Sequence, residues 1–434
     1  MPADGKEKLM NQPYVLAFVG QSTNGILRWG TEKVLPGFEK HGLGHRLIDL
    51  LDPGWTTELG DCLAAAKPAF CFSFEGAGTG IRASNNENLW VHLGVPFITH
   101  INDHPYHCPR QHCAEGPGIY RLFSCEDLFK AYVRYFQSRT YAGVLELGYP
   151  ENPYADRTPW KQREHDIVFV KTGADSKSLR QNWQAFPSNV RSILEDTVEL
   201  VLTGGDETVA SLCEQVFRNR NMDWGDRTEL FFSVCSMADF YVRARRAERM
   251  VSALMRHDAL IVGDWPHIDS KNARARFATS IPASELDDLY AKSRVVVNTL
   301  PAIRYGVHPR IPAGFHAKAS LISESTPYLE QKLSQYPTFF GVDIDGEGFA
   351  SEVDQALTLA LHDPEIDEKI RFSADLARRQ FSFDNFVQGL IDHAALDQFR
   401  RMHDAWRIPL PAQQTASRIG KKVTLLARAS DNAI

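Results

Sequence analysis

Short apolar runs separated by amphipathic segments recur along most of the chain. Two such runs in the second half, at residues 295–297 and 320–322, are aliphatic or β-branched and show no polar alternation. This pattern is typical of parallel strands that are covered on both faces. The loop between the two runs carries the side chains Arg304, Tyr305, His308 and Arg310, followed by Gly314. Because ligands bind beyond the carboxyl ends of such strands, these cations suit a phosphate group, although an ordinary crossover with surface arginines has the same pattern.

The same alternation predicts two sheets. Strands are expected at 14–20, 45–50, 69–74 and 95–101, and a second series begins at 166–170. Between them, residues 148–164 contain three prolines and little periodicity, which indicates a linker. We therefore predict an α/β protein with two Rossmann-like domains facing across a cleft. The predicted segments are a first domain over 1–148, a linker over 149–164, a second domain over 165–400 with a helical insert at about 176–255, and a tail over 401–434.

Composition narrows the partners. The 434 residues carry a net charge of -6, which argues against a broad nucleic-acid interface. No apolar run is long enough to span a bilayer, and the polar N-terminus lacks the apolar core of a signal peptide. Seven cysteines, an odd number, fit a reducing compartment better than a disulfide framework. We therefore expect a cytoplasmic protein, and the sequence leaves its oligomeric state open.

Several short motifs stand in a consistent order along residues 14–386. They comprise Leu93-Gly94-Val95-Pro96, Asn102-Asp103-His104-Pro105, Leu145-Glu146-Leu147-Gly148, the strand at 165–170, Ile261-Val262-Gly263-Asp264-Trp265, Leu289-Tyr290-Ala291-Lys292-Ser293 and Val297-Asn298. Arg310 and Glu324 bracket the last motif. This order resembles GT-B glycosyltransferases, in particular the CgeB-like, spore-maturation-protein-type enzymes related to families 1 and 4.

The resemblance implies a nucleotide-sugar donor bound to the second domain and an acceptor bound to the first. The acceptor could be a glycan, a lipid-linked glycan, a protein or a small molecule. The donor-binding residues it implies are Gly263, Asp264, Trp265, Asn298, Tyr305, His308, Arg310, His316, Lys318 and Glu324. Two positions depart from the pattern: Ala313 stands where the group usually has Glu, and a glycine is missing from His316-Ala317-Lys318. The donor pocket is therefore rearranged, or the donor is unusual, or binding is lost.

Glycosyl transfer needs charge stabilisation for the leaving phosphate, and an inverting enzyme also needs a base for the acceptor's proton. Asp103 and His104 follow the fourth strand and are the candidate base, although Asp103 could instead cap a turn before Pro105. The loops after the first and third strands are expected to line the cleft through Gln21, Ser22, Glu75, Gly76 and Gly78. We predict a metal-independent inverting enzyme with no cofactor beyond the nucleotide sugar as co-substrate.

Two further clusters have simpler alternatives. The segment 100–113 holds a set of potential zinc ligands, namely His100, Asp103, His104, His107, Cys108, His112 and Cys113. Its spacing matches no common zinc motif, so we predict no metal. A basic run on one helix comprises Arg243, Arg245, Arg246 and Arg249, and we expect it to be a solvated face rather than a site for an anionic acceptor.

Two other classes of function stay open at this point. The departures at Ala313 and Lys318 would also suit a non-catalytic nucleotide-sugar-binding or assembly protein on a GT-B scaffold. The His- and Cys-rich segment would suit a zinc-dependent hydrolase, which metal analysis of the purified protein would decide.

Overall fold

The computed structural model describes residues 12–406 with the exception of 113, 137, 139, 204 and 206, and gives side chains as far as 397. The first sheet has six parallel strands in the order β2-β1-β3-β4-β5-β6. Its strands are β1 (Tyr14–Val19), β2 (Gly44–Asp49), β3 (Phe70–Phe74), β4 (Phe97–Ile101), β5 (Ile119–Phe123) and β6 (Tyr141–Val144). Every residue of β1, β3, β4 and β5 is buried, which explains their unbroken apolar character.

Four α-helices cover the faces of this sheet. They are α1 (Ile26–Lys40), α2 (Trp55–Ala65), α3 (Leu89–Leu93) and α4 (Glu126–Phe136). The short helix α3 is fixed at both ends: the side chain of Asn88 accepts hydrogen bonds from the amides of Trp90 and Val91, and Gly94 ends the helix with φ 60°. These crossovers return the chain to the same sheet edge, so the loops after β1, β3 and β4 lie together.

A second parallel sheet follows, in the order β12-β11-β10-β7-β8-β9. Its strands are β7 (His165–Val170), β8 (Ala259–Val262), β9 (Arg276–Ala278), β10 (Ser293–Asn298), β11 (Ser320–Glu324) and β12 (Phe339–Val342). Helices α9 (Leu286–Ala291), α10 (Arg310–His316), α11 (Pro327–Lys332), α12 (Phe349–His362) and α13 (Ile366–Gln380) accompany this sheet. The predicted α/β class with two Rossmann-like sheets is confirmed, and the runs at 295–297 and 320–322 are neighbouring parallel strands.

Four helices fill the connection between β7 and β8. They are α5 (Ser176–Asn182), α6 (Ser188–Thr203), α7 (Val209–Asn219) and α8 (Thr228–Leu254). Their shared core also takes in Tyr106 and Tyr135 from the first domain. The expectation of a solvated basic face on α8 is wrong for two of its arginines, because the side chains of Arg243 and Arg246 are only 15% and 2% exposed. Both face inward to carboxylates.

The last helix, α14 (Phe383–Trp406), returns to the first sheet. Phe386, Val387 and Leu390 pack in one core with Val15 and Phe38. The predicted second domain extends to residue 400, whereas this part of α14, from Phe386 to Leu390, packs against the first sheet. Residues up to Ala394 form one compact unit, the remainder of α14 lies beyond it, and most of the predicted tail 401–434 falls outside the described residues. None of the described helices is long and apolar enough to cross a membrane.

Candidate active site between the two sheets

The loops at the carboxyl ends of the two sheets meet through α8 and the segment after β10. Nη1 of Arg243 lies 3.6 Å from Oδ1 of Asp103, in the loop after β4. The amide of Tyr305, in the segment after β10, donates to the carboxylate of Asp127 over 2.9 Å. Since ligands of parallel sheets bind beyond the carboxyl ends of the strands, this junction is where a substrate would lie.

Three cationic or protonatable side chains gather on the side of the second sheet. Lys171 directly follows β7, while His308 and Arg310 lie at the start of α10. Each is partly exposed yet surrounded by protein. In the described part of the chain, none of the three forms an ion pair with a carboxylate. A group of close positive charges without counter-ions favours an anionic ligand.

The pKa values of these groups reflect the crowding. Burial, together with the charges of Arg310 and Arg243, lowers the pKa of Lys171 to about 7. Burial and the same neighbouring cations hold the pKa of the His308 ring well below its usual range. Burial also lowers the pKa of Arg310. An anion placed among them would relieve both the desolvation and the mutual repulsion.

Arg310 and His308 are held in orientation by the protein. Nη1 of Arg310 donates to Oδ1 of Asn298 over 3.3 Å, and Nδ2 of Asn298 donates to Oγ of Ser323 over 3.0 Å. The amide of Arg310 donates to Nδ1 of His308 over 3.2 Å. The neutral ring therefore carries its proton on Nε2, which is left as a hydrogen-bond donor.

Lys171 is positioned by a close approach of two strand ends. Its amide donates to the carbonyl of Val262 over 2.9 Å. Gly263 follows with φ 140°, and a Cβ there would lie 2.0 Å from the carbonyl oxygen of Lys171. Only glycine permits this backbone contact. Gly263, predicted as a donor residue, therefore shapes the site through its backbone.

Two carboxyl groups lie on the opposite side, beyond β3 and β4. Burial and the negative charge of Asp103 raise the pKa of Glu75 to about 8. Oε1 of Glu75 accepts the amide of Asn102 over 2.6 Å, and Glu75 has a positive φ of 53°. Such backbone strain at a buried carboxyl is characteristic of functional positions. The Asp103 side chain is 61% exposed, so the pair opens toward solvent at one end.

Arg243 connects the two sides. Its Nη2 lies 2.8 Å from Oδ2 of Asp239, which also lies 2.6 Å from Nε2 of His107 in the first domain. Burial alone would raise the pKa of Asp239, but the charge of Arg243 and the hydrogen bond from His107 outweigh it and lower the pKa. Asp239 thus stays ionised and holds Arg243 in place near Asp103 and Lys171.

Several predicted residues lie elsewhere. His104 is 1% exposed and stacks on Tyr106 with ring centroids 4.6 Å apart, while burial lowers its pKa to about 4. An acceptor hydroxyl could not reach it in this arrangement. His316 and Lys318 lie at the far end of α10 and beyond it, before β11, and Lys318 pairs with Asp156. A crossover helix carries its last turn to the opposite sheet edge, so these two do not join Arg310.

The remaining second-domain positions have structural partners. Glu324, at the end of β11, accepts the amide of Leu300 over 2.9 Å and pairs with Arg246 over 2.7 Å. Asp264 accepts the hydroxyl of Ser280 over 2.7 Å. Trp265 packs in the core of the second sheet.

The cleft loops of the first domain lie side by side. Gly20 directly follows β1, and a Cβ placed on it would lie 3.8 Å from Cβ of Ala77. Gln21 and Ser22 are the next two residues of the chain. Gly76 and Gly78 both have positive φ, and a Cβ on Gly78 would come within 2.8 Å of the Phe18 ring. These glycines let the Glu75 loop fold back over β1.

The His- and Cys-rich segment does not assemble into a metal site within the described residues, from which Cys113 is missing: there, no three His, Cys, Asp or Glu side chains lie close enough to hold an ion. His100 packs against Phe386 in the core, and its Nε2 lies 2.8 Å from the carbonyl of Leu145. His112 is buried among aromatic rings. The prediction of no metal stays a prediction.

Sequence reasoning missed Lys171 and the role of Arg243, and it assigned Glu75 only to a cleft loop. A lysine directly after the first strand of the second domain was an available signal. Nothing in the sequence showed that Glu75 would titrate beside Asp103, because that depends on the register of β3 and β4.

Comparisons with known proteins give a likeness of fold. No protein-family model matches the chain, and no curated protein does. A solved glycosyltransferase from Rickettsia africae is 12% identical, with 89% of this chain and 99% of that chain covered and a TM-score of 0.46. Anabaena Alr3699/HepE, solved with UDP and glucose, is 10% identical over 88% and 99% of the two chains, with a TM-score of 0.47.

AviGT4, a glycosyltransferase involved in avilamycin A biosynthesis, is 12% identical over 88% of this chain and 97% of its own, with a TM-score of 0.48.

Proposed function

We propose that this protein is a glycosyltransferase that moves a sugar from a nucleotide-sugar donor to an acceptor hydroxyl, with inversion and without a metal ion. The observation that carries the proposal is that Arg243 lies 3.6 Å from Asp103, the partner of Glu75, and also next to Lys171, His308 and Arg310, which form no ion pair in the described part of the chain. Cations on one side suit a leaving phosphate, and carboxylates on the other suit an incoming hydroxyl.

In the proposed reaction the acceptor oxygen forms a bond to the anomeric carbon as the bond from that carbon to the phosphate oxygen breaks. The electron pair leaves with the phosphate, where the guanidinium of Arg310, the ammonium of Lys171 and Nε2–H of His308 stabilise it. The acceptor's proton passes to the carboxyl pair. Of the two, ionised Glu75 is the stronger base, because Asp103 and burial raise its pKa.

Arg243 is a positioning residue in this scheme. It contacts Asp103 and Asp239 and adds positive charge near Lys171 and Arg310. The pairing of His107 with Asp239 joins the first domain to the same network. Closure of the two domains over a substrate would therefore bring Glu75 close to Lys171 and Arg310 and exclude water from the reacting atoms.

The first test screens nucleoside mono- and diphosphates by their effect on the melting temperature. One of them should stabilise the protein by about 2.7 kcal/mol at 100 times its dissociation constant. Nucleotide release from the matching nucleotide sugar should then proceed in EDTA. Arg310→Ala should reduce the melting shift by half or more, whereas Arg245→Ala, which replaces an exposed arginine on α8, should retain it in full.

The outcomes separate the candidate functions. If no nucleotide raises the melting temperature, the glycosyltransferase proposal is wrong. A melting shift without release of nucleotide in the presence of varied acceptors would favour the alternative, a non-catalytic nucleotide-sugar-binding or assembly protein. Activity lost in EDTA and restored by a divalent cation would contradict the metal-independent mechanism.

A further inference from the structure

A second cavity, of ≈ 620 Å³, lies between α4 of the first domain and α7 of the helical insert. The ring of Tyr305, in the segment after β10, forms part of its wall. This volume would accommodate a small organic ligand of one or two rings. None of the sequence motifs lies in the insert, and Lys171, His308 and Arg310 are not among the residues that line the cavity.

The charges in this cavity are neutralised from within. Nε and Nη2 of Arg134 donate to Glu214 over 2.8 and 2.6 Å, Arg218 reaches the same carboxylate at 3.3 Å, and the hydroxyl of Tyr135 donates to it over 2.9 Å. Lys130 pairs with Glu126 over 2.6 Å. Paired charges of this kind offer little to an anion but present a rigid polar floor.

Neutral polar side chains also line the cavity. Gln215 and Asn219 lie one helical turn apart on the exposed face of α7, and both line the cavity. Each amide supplies donors and an acceptor, which match the hydroxyl groups of a sugar. Tyr305 is 40% exposed, and Nζ of Lys130 lies 5.6 Å from the centroid of its ring. The apolar face of a pyranose could stack on this ring in place of the exposed Lys130 side chain.

We propose that this cavity is a carbohydrate-binding subsite that holds a neutral sugar unit of the acceptor, with Tyr305 as its stacking platform. The assignment to the acceptor rests on the proposed glycosyltransferase function, whereas binding of a neutral saccharide rests on the cavity alone. An anionic ligand is disfavoured because Arg134 and Arg218 are already paired with Glu214, and Lys130 with Glu126.

The cavity is joined to the active site by one loop. The buried carboxylate of Asp127, whose pKa is raised by burial, accepts the amides of Arg304 and Tyr305. Three residues further along the same segment stands His308. A sugar stacked on Tyr305 would therefore hold the loop that presents His308 to the leaving phosphate, and so couple acceptor binding to donor chemistry.

The test measures direct binding of methyl glycosides and disaccharides of common hexoses by saturation-transfer NMR, in the absence of nucleotide. At least one saccharide should bind the wild-type protein. Tyr305→Ala should weaken its binding about tenfold and Gln215→Ala more modestly. Tyr305→Phe should retain binding, as should the control Phe186→Ala, which removes an exposed ring elsewhere on the insert.

Each result bears on one proposal. No saccharide binding, binding unaffected by Tyr305→Ala, or uptake of sulfate in place of glycosides would overturn the subsite. Saccharide binding without any nucleotide-induced melting shift would leave the subsite standing and overturn the glycosyltransferase. The denaturation midpoint of Tyr305→Ala should stay close to that of the wild-type protein, which separates loss of the subsite from loss of fold.

Discussion

Basic side chains at two places in the second domain differ in whether a carboxylate pairs with them. Arg246 on α8 is paired with Glu324 over 2.7 Å and with Asp345, and its side chain is 2% exposed. Lys171, His308 and Arg310 are close to one another and have no such partners in the described chain. The first group ties α8 to the end of β11, and the second leaves positive charge facing the junction of the sheets.

The difference separates a structural ion pair from a ligand site. A buried cation that the fold has paired contributes to a single arrangement of the elements, and removing it leaves the carboxylates unpaired. A cation that the fold has left unpaired makes the empty protein less stable and is relieved when a ligand supplies the missing charge.

The largest expected effect is on Arg246. Arg246→Met should lower the free energy of unfolding by about 3–5 kcal/mol, because it leaves Glu324 and Asp345 without their cation. Chemical denaturation measures the change, with Arg245→Ala as the exposed control, expected within about 0.5 kcal/mol of wild type. A loss below about 1 kcal/mol would show that this pair is not structural.

Replacing Lys171 or Arg310, which have no carboxylate partner in the described part of the chain, should affect ligand binding more than stability. Lys171→Met and Arg310→Ala should each weaken binding of the nucleoside diphosphate by about 10–100-fold, the loss of one charge-assisted hydrogen bond. Neither should destabilise the ligand-free protein by more than about 1 kcal/mol. Titration calorimetry measures the affinity, and denaturation of the same samples measures the stability. Unchanged affinity with lowered stability would show that these residues have a structural role, as Arg246 does.

The titration of Lys171 should make the affinity for the nucleotide depend on pH. Its pKa is lowered to about 7 in the ligand-free protein, so above pH 7 a bound anion must restore its proton. Affinity should be nearly constant below pH 7 and fall by up to about tenfold per pH unit above it. Calorimetry at pH 8 in two buffers of different ionisation enthalpy should show proton uptake, which Lys171→Met should remove. Equal heats in both buffers for the wild-type protein would contradict this.

Glu75 should make the stability of the protein depend on pH. Its pKa is raised to about 8 when folded, so the folded protein holds a proton that the unfolded chain releases above its ordinary value of 4.5. Stability should therefore fall as pH rises from about 4.5 to about 8. Glu75→Gln should remove this loss, with a gain of up to about 4 kcal/mol at pH 8 and little at pH 4.

The same substitution should remove catalysis, since Gln cannot take the acceptor's proton. Melting curves at the two pH values and turnover at pH 8 provide the readouts. Full activity of Glu75→Gln would contradict the assignment of Glu75 as the base. The assignment would also be contradicted if the variant's gain in stability over wild type were no larger at pH 8 than at pH 4.

How much of this could be predicted depends on how local each signal is. The strands at 295–297 and 320–322 followed from their apolar runs, and Arg310 from its motif, because both are short-range patterns. The inward direction of Arg243 depends on how α8 meets the first domain, which no single segment encodes. His316 and Lys318 were grouped with Arg310 by closeness in sequence, but a helix of seven residues carries them to the other edge of the sheet.

Gly263 sets a limit on how this chain can change. Its φ of 140° and the 2.0 Å that would separate a Cβ from the Lys171 carbonyl exclude the other nineteen amino acids at that position. A library randomised at this codon and selected for nucleotide binding should return glycine alone, so a change at one residue without a side chain would be enough to dismantle the proposed phosphate site.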